Sequence, residues 1–226
     1  MEASLAKKIR SRTSALEWFV MLVVAAGMIG LSWLGLWSLG MTEVLGFVTG
    51  GICVWLVVRE DVVSWPIGLA NNLVFFVLFL STRLYADMTL QIVYFGLGIY
   101  GWWQWLHGGS NRGTLEISRT RRGEWIALAI TIPASLALVV QLLTMLRGAA
   151  PIFDGLTTIL SLAAQFLLCR KRLENWYFWI VADLIYIPLY ISRGLFLTAL
   201  LYGIFLIMCL IGLTQWKRTW SGARQS

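Results

Sequence analysis

Reactive side chains and charge are both scarce in this chain. Of its 226 residues only 13% are charged, and one alone, His107, is histidine. Carboxylates do not cluster, no residues carry metal-ligand spacing, and no glycine-rich phosphate loop is present. Hydrolytic, metal-assisted and phosphoryl-transfer chemistry therefore lack their parts, and neither an enzyme, a metal site nor a cofactor is expected. The three cysteines, Cys53, Cys169 and Cys209, lie in apolar runs without a pairing pattern. They read as small buried residues rather than disulfides or ligands. Polar surface is short as well: 59% of the residues are hydrophobic and the mean hydropathy is +0.77. A soluble domain of this length could not hide so much apolar surface. The expectation is an all-α integral membrane protein forming one membrane domain over residues 1–226.

The net charge of +7 could suggest nucleic acid, but the basic residues fall in short loops between apolar runs, as the positive-inside rule requires. Residues 1–16 form a basic tail with Lys7, Lys8, Arg10 and Arg12. The run at 17–39 is too long for a signal peptide and lacks a convincing cleavage site, so it reads as a retained, extra helix. Further runs fall at 43–58, 65–81, 87–106, 124–146, 152–169, 176–190 and 195–216. Gly46 and Gly50 in the second run have the spacing that lets helix backbones approach, and Pro66 suits a first helical turn. These make eight transmembrane helices. With an even number, 15 of the 18 Lys and Arg lie on the side of both termini, and Arg83, Arg147 and Arg193 stand alone on the other. Both termini should be cytoplasmic.

One stretch stands out, Trp176 to Tyr190. At helical spacing Trp176, Trp179, Asp183, Tyr186 and Tyr190 share one face. A carboxylate at bilayer depth costs at least about 2.5–3.5 kcal/mol, which makes Asp183 a functional-site candidate. The plainer alternative is a structural residue hydrogen-bonded to a neighbouring helix.

The chain also repeats. An offset of 111 aligns Arg59 with Arg170, Trp65 with Trp176, Asn72 with Asp183 and Ser81 with Ser192 without a gap. The same register pairs Glu43 with Asp154, Tyr85 with Phe196, Gly101 with Gly212, and Gln104–Trp105 with Gln215–Trp216. Two three-helix repeats follow, 43–106 and 152–216, joined by a linker helix at 124–146. The offset spans an even number of helices, so the repeats should be parallel, related by an axis along the membrane normal. Substrate sites in such folds lie near mid-membrane at the repeat interface. There the face of Trp176 would oppose its counterpart of Trp65, Gly68, Asn72, Phe75 and Phe79.

WPIGLANN, the YADMTLQIVYFGLGIYGWWQW segment and WYFWIVAD followed by a tyrosine-rich helix resemble the PnuC family of nicotinamide riboside transporters, from about residue 43 to 216. The resemblance implies a SWEET-like fold, a homotrimer in a bacterial inner membrane, facilitated diffusion, and trapping by a cytoplasmic kinase that phosphorylates the arriving substrate. Many family members carry Asn where this chain has Asp183, and relatives are thought to carry thiamine or riboflavin. Nicotinamide riboside has a flat cationic ring, which suits an aromatic slot, stacking and cation–π attraction each contributing about 0.5–2 kcal/mol. An ionised Asp183 would pair with that charge, while Asn72, Gln91 and Tyr202 offer partners for ribose oxygens. Gln91 and Tyr202 occupy matching repeat positions. The expected substrate residues are Trp65, Asn71, Asn72, Gln91, Tyr94, Trp176, Trp179, Asp183, Tyr186 and Tyr202. For Asn71, Asn72 and Gln91 interhelical hydrogen bonding is an equal alternative. Trp102, Trp103, Trp105 and Trp216 read as interface-belt residues. Proton coupling through Asp183 is the competing mechanism.

Overall fold

Eight α-helices make up the described part of the chain, which in this computed structural model comprises residues 13–35, 41–81, 85–146, 150–194 and 196–222. They are α1 (Ala15–Trp33), α2 (Met41–Val58), α3 (Ser64–Ser81), α4 (Tyr85–His107), α5 (Arg122–Met145), α6 (Pro151–Cys169), α7 (Asn175–Ser192) and α8 (Phe196–Gly222), with a single 3-10 turn at Ser110–Arg112. The basic residues at 7–12, Arg83, Arg147 and the last four residues lie outside the described residues, as do the side chains of Glu43, Ser81 and Tyr85.

Local signals set the helix ends. Ser14 caps α1: its hydroxyl accepts from Glu17 N–H (3.2 Å) and Glu17 accepts in return from Ser14 N–H (2.8 Å), the reciprocal bonding of a capping box. Glu124 accepts from Arg121 N–H (2.7 Å) at the start of α5, and Pro151 opens α6 where its missing N–H is no loss. The first helix ends at Trp33, with Gly35 in the left-handed region (φ 67°), and the rest of the expected run, 36–39, lies outside the described residues. The last runs on to Gly222, so Lys217 and Arg218 are helical instead of tail.

Four helices, α1, α5, α6 and the Thr198–Gly222 part of α8, are long and apolar enough to cross a membrane; Val44–Val58 and Ser64–Leu80 are shorter apolar helices. The aromatic α7 falls short because tryptophan and tyrosine carry polar atoms and Asn175 and Asp183 lie within it. Large apolar side chains such as Phe19, Val77, Ile130 and Leu200 are exposed, the pattern of a lipid-facing surface.

The chain divides into two compact units, residues 1–115 and 116–226. Within each, helices pack on their sequence neighbours. In the first unit, α2 ends with Glu60 in the left-handed region, Asp61 N–H bonding Leu56 C=O (2.8 Å) and Glu60 N–H bonding Val57 C=O (3.0 Å). In the second, α6 ends with Lys171 in the left-handed region, Arg172 N–H bonding Leu167 C=O (2.9 Å) and Lys171 N–H bonding Leu168 C=O (2.9 Å). Both are Schellman closures built without glycine, at a strain of about 1–2 kcal/mol each.

Polar residues anchor these turns. In the first unit, buried Asp61 accepts from Thr13 Oγ1 (2.9 Å), and Arg59 pairs with Glu17 (2.9 Å). In the second, buried Arg172 donates to Glu124 (2.9 Å) and Arg170 pairs with the same carboxylate (2.8 Å). Ser118 and Arg172 form a parallel bridge, with Ser118 N–H bonding Lys171 C=O (3.1 Å) and Leu173 N–H bonding Ser118 C=O (2.9 Å).

Candidate substrate site

In the second unit the sequence-predicted face is assembled on α7 and completed by α8. Asp183 is only 4% exposed. Among the described residues it takes one hydrogen bond, from the thiol of Cys209 (3.6 Å), and no Lys, Arg or His forms an ion pair with it. One turn on, Tyr186 stacks on Tyr190 (5.7 Å between ring centroids), and Tyr202 of α8 lies against both, at 4.6 and 5.1 Å. Phe205 closes the cluster edge-on to Tyr202 (5.8 Å). The Tyr186 hydroxyl faces Thr157 and Ser161 of α6. Trp179 is half-buried on the same helix. Beyond the tyrosines, Arg193 reaches Asp154 of α6 (3.3 Å). The arrangement is a carboxylate with a single weak donor, bordered by aromatic faces. Such a group favours a cation that can also stack.

In the first unit Asn72 and Gln91 come together: both line a cavity of about 150 Å³ with Leu73, Phe76, Ile92 and Phe95. The cavity surface is almost wholly apolar, so both residues border it chiefly through their carbon atoms. Tyr94 is half-buried on α4. Asn71 is committed elsewhere, its Nδ2 donating to Gly46 C=O (2.9 Å) and Thr49 Oγ1 (2.6 Å), which ties α3 to α2.

Trp65 and Trp176 are held by packing. Trp65 lies edge-on to Trp105 (5.4 Å, 84°) with Gly101 beneath its ring; Trp176 lies edge-on to Trp216 (5.4 Å, 87°) with Gly212 beneath. Both Nε1 atoms are buried without a hydrogen-bond partner among the described residues. Trp105 and Trp216 are 1% and 0% exposed, so they are core residues rather than members of an interface belt, while Trp103 is exposed. Hydropathy cannot separate the two outcomes, because both place tryptophan at a helix end. Cys209 escaped the sequence reading, since a lone cysteine in an apolar run carries no pattern.

The model of the family described as nicotinamide mononucleotide transporter matches residues 40–218. The chain belongs to this family. It is a multi-pass membrane transporter and not an enzyme. A nicotinamide riboside transporter of Escherichia coli is 27% identical over 85% of this chain and 88% of its own length. A riboflavin/roseoflavin transporter of Streptomyces davaonensis is 26% identical over 80% of this chain and 84% of its own. The crystal structure of a vitamin B3 transporter, PnuC, shares the fold with a TM-score of 0.69 at 20% identity, covering 97% of each chain.

Proposed function

We propose that this transporter carries nicotinamide riboside, recognising its cationic ring on the α7–α8 face. The observation that carries the reading is Asp183: a buried carboxylate without a cationic partner among the described residues, beside stacked Tyr186, Tyr190 and Tyr202. Asn72 and Gln91 are the first half's own candidates for polar substrate contacts, and Trp179 offers a further stacking face on α7. Trp65 and Trp176 act by holding α3 and α7 in position, and Asn71 by fixing α3 to α2. The names of the nicotinamide riboside relatives support this substrate class.

Transport is by facilitated diffusion, made inward by a cytoplasmic kinase that traps the product. The protein works as a homotrimer of eight-span subunits in the bacterial inner membrane with both termini cytoplasmic. Each subunit consists of parallel repeats over 43–106 and 152–216. The matched Trp65–Gly101–Trp105 and Trp176–Gly212–Trp216 packings support the repeat. Reporter fusions at residues 115 and 226 test the orientation, and a periplasmic signal at either defeats it. The riboflavin/roseoflavin relative favours a neutral flavin as the second reading.

Calorimetry on detergent-solubilised protein with nicotinamide riboside, thiamine and riboflavin separates these readings. Preference for the two cations, lost in Asp183→Asn, is expected. Riboflavin binding alone overturns the proposal. Uptake into liposomes should be indifferent to a proton gradient; dependence on one would make Asp183 a proton relay.

A further inference from the structure

The partner of Asp183 bears on selectivity. Cys209 is 4% exposed on α8, with its Sγ 3.6 Å from Asp183 Oδ2. A thiol is a weak donor, and sulfur's size accounts for the long contact. The Tyr202 hydroxyl lies within electrostatic reach of Asp183. The position 111 residues earlier, Gly98, has no side chain to donate and lies in the half that carries Asn72 instead of Asp183. The donor is thus present in the half with the carboxylate and absent in the half with the amide.

We propose that Cys209 is a specificity-determining residue of this transporter: its thiol supplies the single weak hydrogen bond that Asp183 gives up when a cationic substrate arrives. This rests on the reading of Asp183 as the cation-recognising group. A stronger donor at 209 would satisfy the carboxylate in the empty site and compete with the cation, since a hydroxyl on a carboxylate makes a shorter, stronger bond. Removing the donor would leave the carboxylate more dependent on the cation. A neutral ligand feels neither change. Were Cys209 only a small packing residue, substitution would alter all ligands alike.

The test is calorimetric Kd for nicotinamide riboside and riboflavin on the parent, Cys209→Ser and Cys209→Ala, each also made in Asp183→Asn. Cys209→Ser should weaken the cation about fivefold, the scale of one hydrogen bond, and Cys209→Ala should tighten it by a factor of about two. Riboflavin should move little, and both effects should vanish with Asp183→Asn. A cation-to-neutral ratio unchanged by either substitution, or a change that persists in Asp183→Asn, overturns the role of Cys209 alone. A parent that binds no cation overturns it together with the substrate reading. Serine and alanine are both close in volume to cysteine, so at least one variant should remain folded; equal loss of both ligands in both variants marks packing and also overturns the proposal.

Discussion

Residues 65, 101 and 105 in the first half and 176, 212 and 216 in the second build the same wedge of a tryptophan over a glycine, edge-on to a second tryptophan. Two turns further along α3 and α7 the halves part. Asn72 lines an open cavity beside Gln91, whereas Asp183 is buried beside Cys209 and a tyrosine cluster. The shared tryptophans and glycines set the distance between two helices, where shape decides. The residues that differ are Asn72 and Asp183, of which Asp183 meets Cys209 on α8. In each half a pair of tryptophans packs one helix on the next, while the tyrosine cluster belongs to the second half.

The wedge should be the costlier part to damage. Trp105→Ala and Trp216→Ala should each destabilise the protein by about 3–5 kcal/mol through the cavity left behind, seen as a large drop in thermal midpoint of the solubilised protein. Similar losses in both halves sharpen the comparison; loss in only one half breaks it. Gly101→Val and Gly212→Val drive a side chain into the Trp65 and Trp176 rings and should cost about 1–3 kcal/mol by overpacking, by the same measurement.

Recognition should respond differently. Asp183→Asn should leave the thermal midpoint nearly unchanged while weakening a cationic ligand by about 1–3 kcal/mol, the scale of a charge-assisted hydrogen bond. Asn72→Asp, the reciprocal exchange, tests whether the first half can be made to prefer a cation. Calorimetry that finds equal affinity across these variants would mean that the difference between the halves does not bear on charge.

The turn after α6 gives a pH effect of known sign. Burial raises the Glu174 carboxyl, but hydrogen bonds from the Thr120 hydroxyl and N–H, and from Arg119, outweigh it and hold the group below its usual 4.5. Its stabilisation is complete above that value and fades as pH falls through the lower folded one. Protection factors of the amides at residues 115–121 should therefore fall below about pH 4.5, and Glu174→Gln should remove that dependence. The smallest effect belongs to Asn71→Ala, which breaks the bonds to Gly46 and Thr49. About 0.6 kcal/mol is typical of such an interhelical bond in a membrane, with no change in ligand affinity. A clear affinity loss there would place Asn71 among the recognition residues.

Sequence by itself determined the helices, most of them to within two residues, because apolar run length, capping residues and charged turns are local signals. It also marked out Asp183, since a carboxylate in an apolar run is visible without any neighbour, and it matched Trp65 with Trp176 through the 111-residue offset. Tertiary structure alone decided what each side chain meets. It turned Trp105 and Trp216 from interface residues into buried partners, bound Asn71 to α2, brought Tyr202 against Tyr186, and set Cys209 on Asp183. The physical reason is that hydropathy reports how much a residue prefers to leave water, while its partner is chosen by the crossing of two helices distant in the chain.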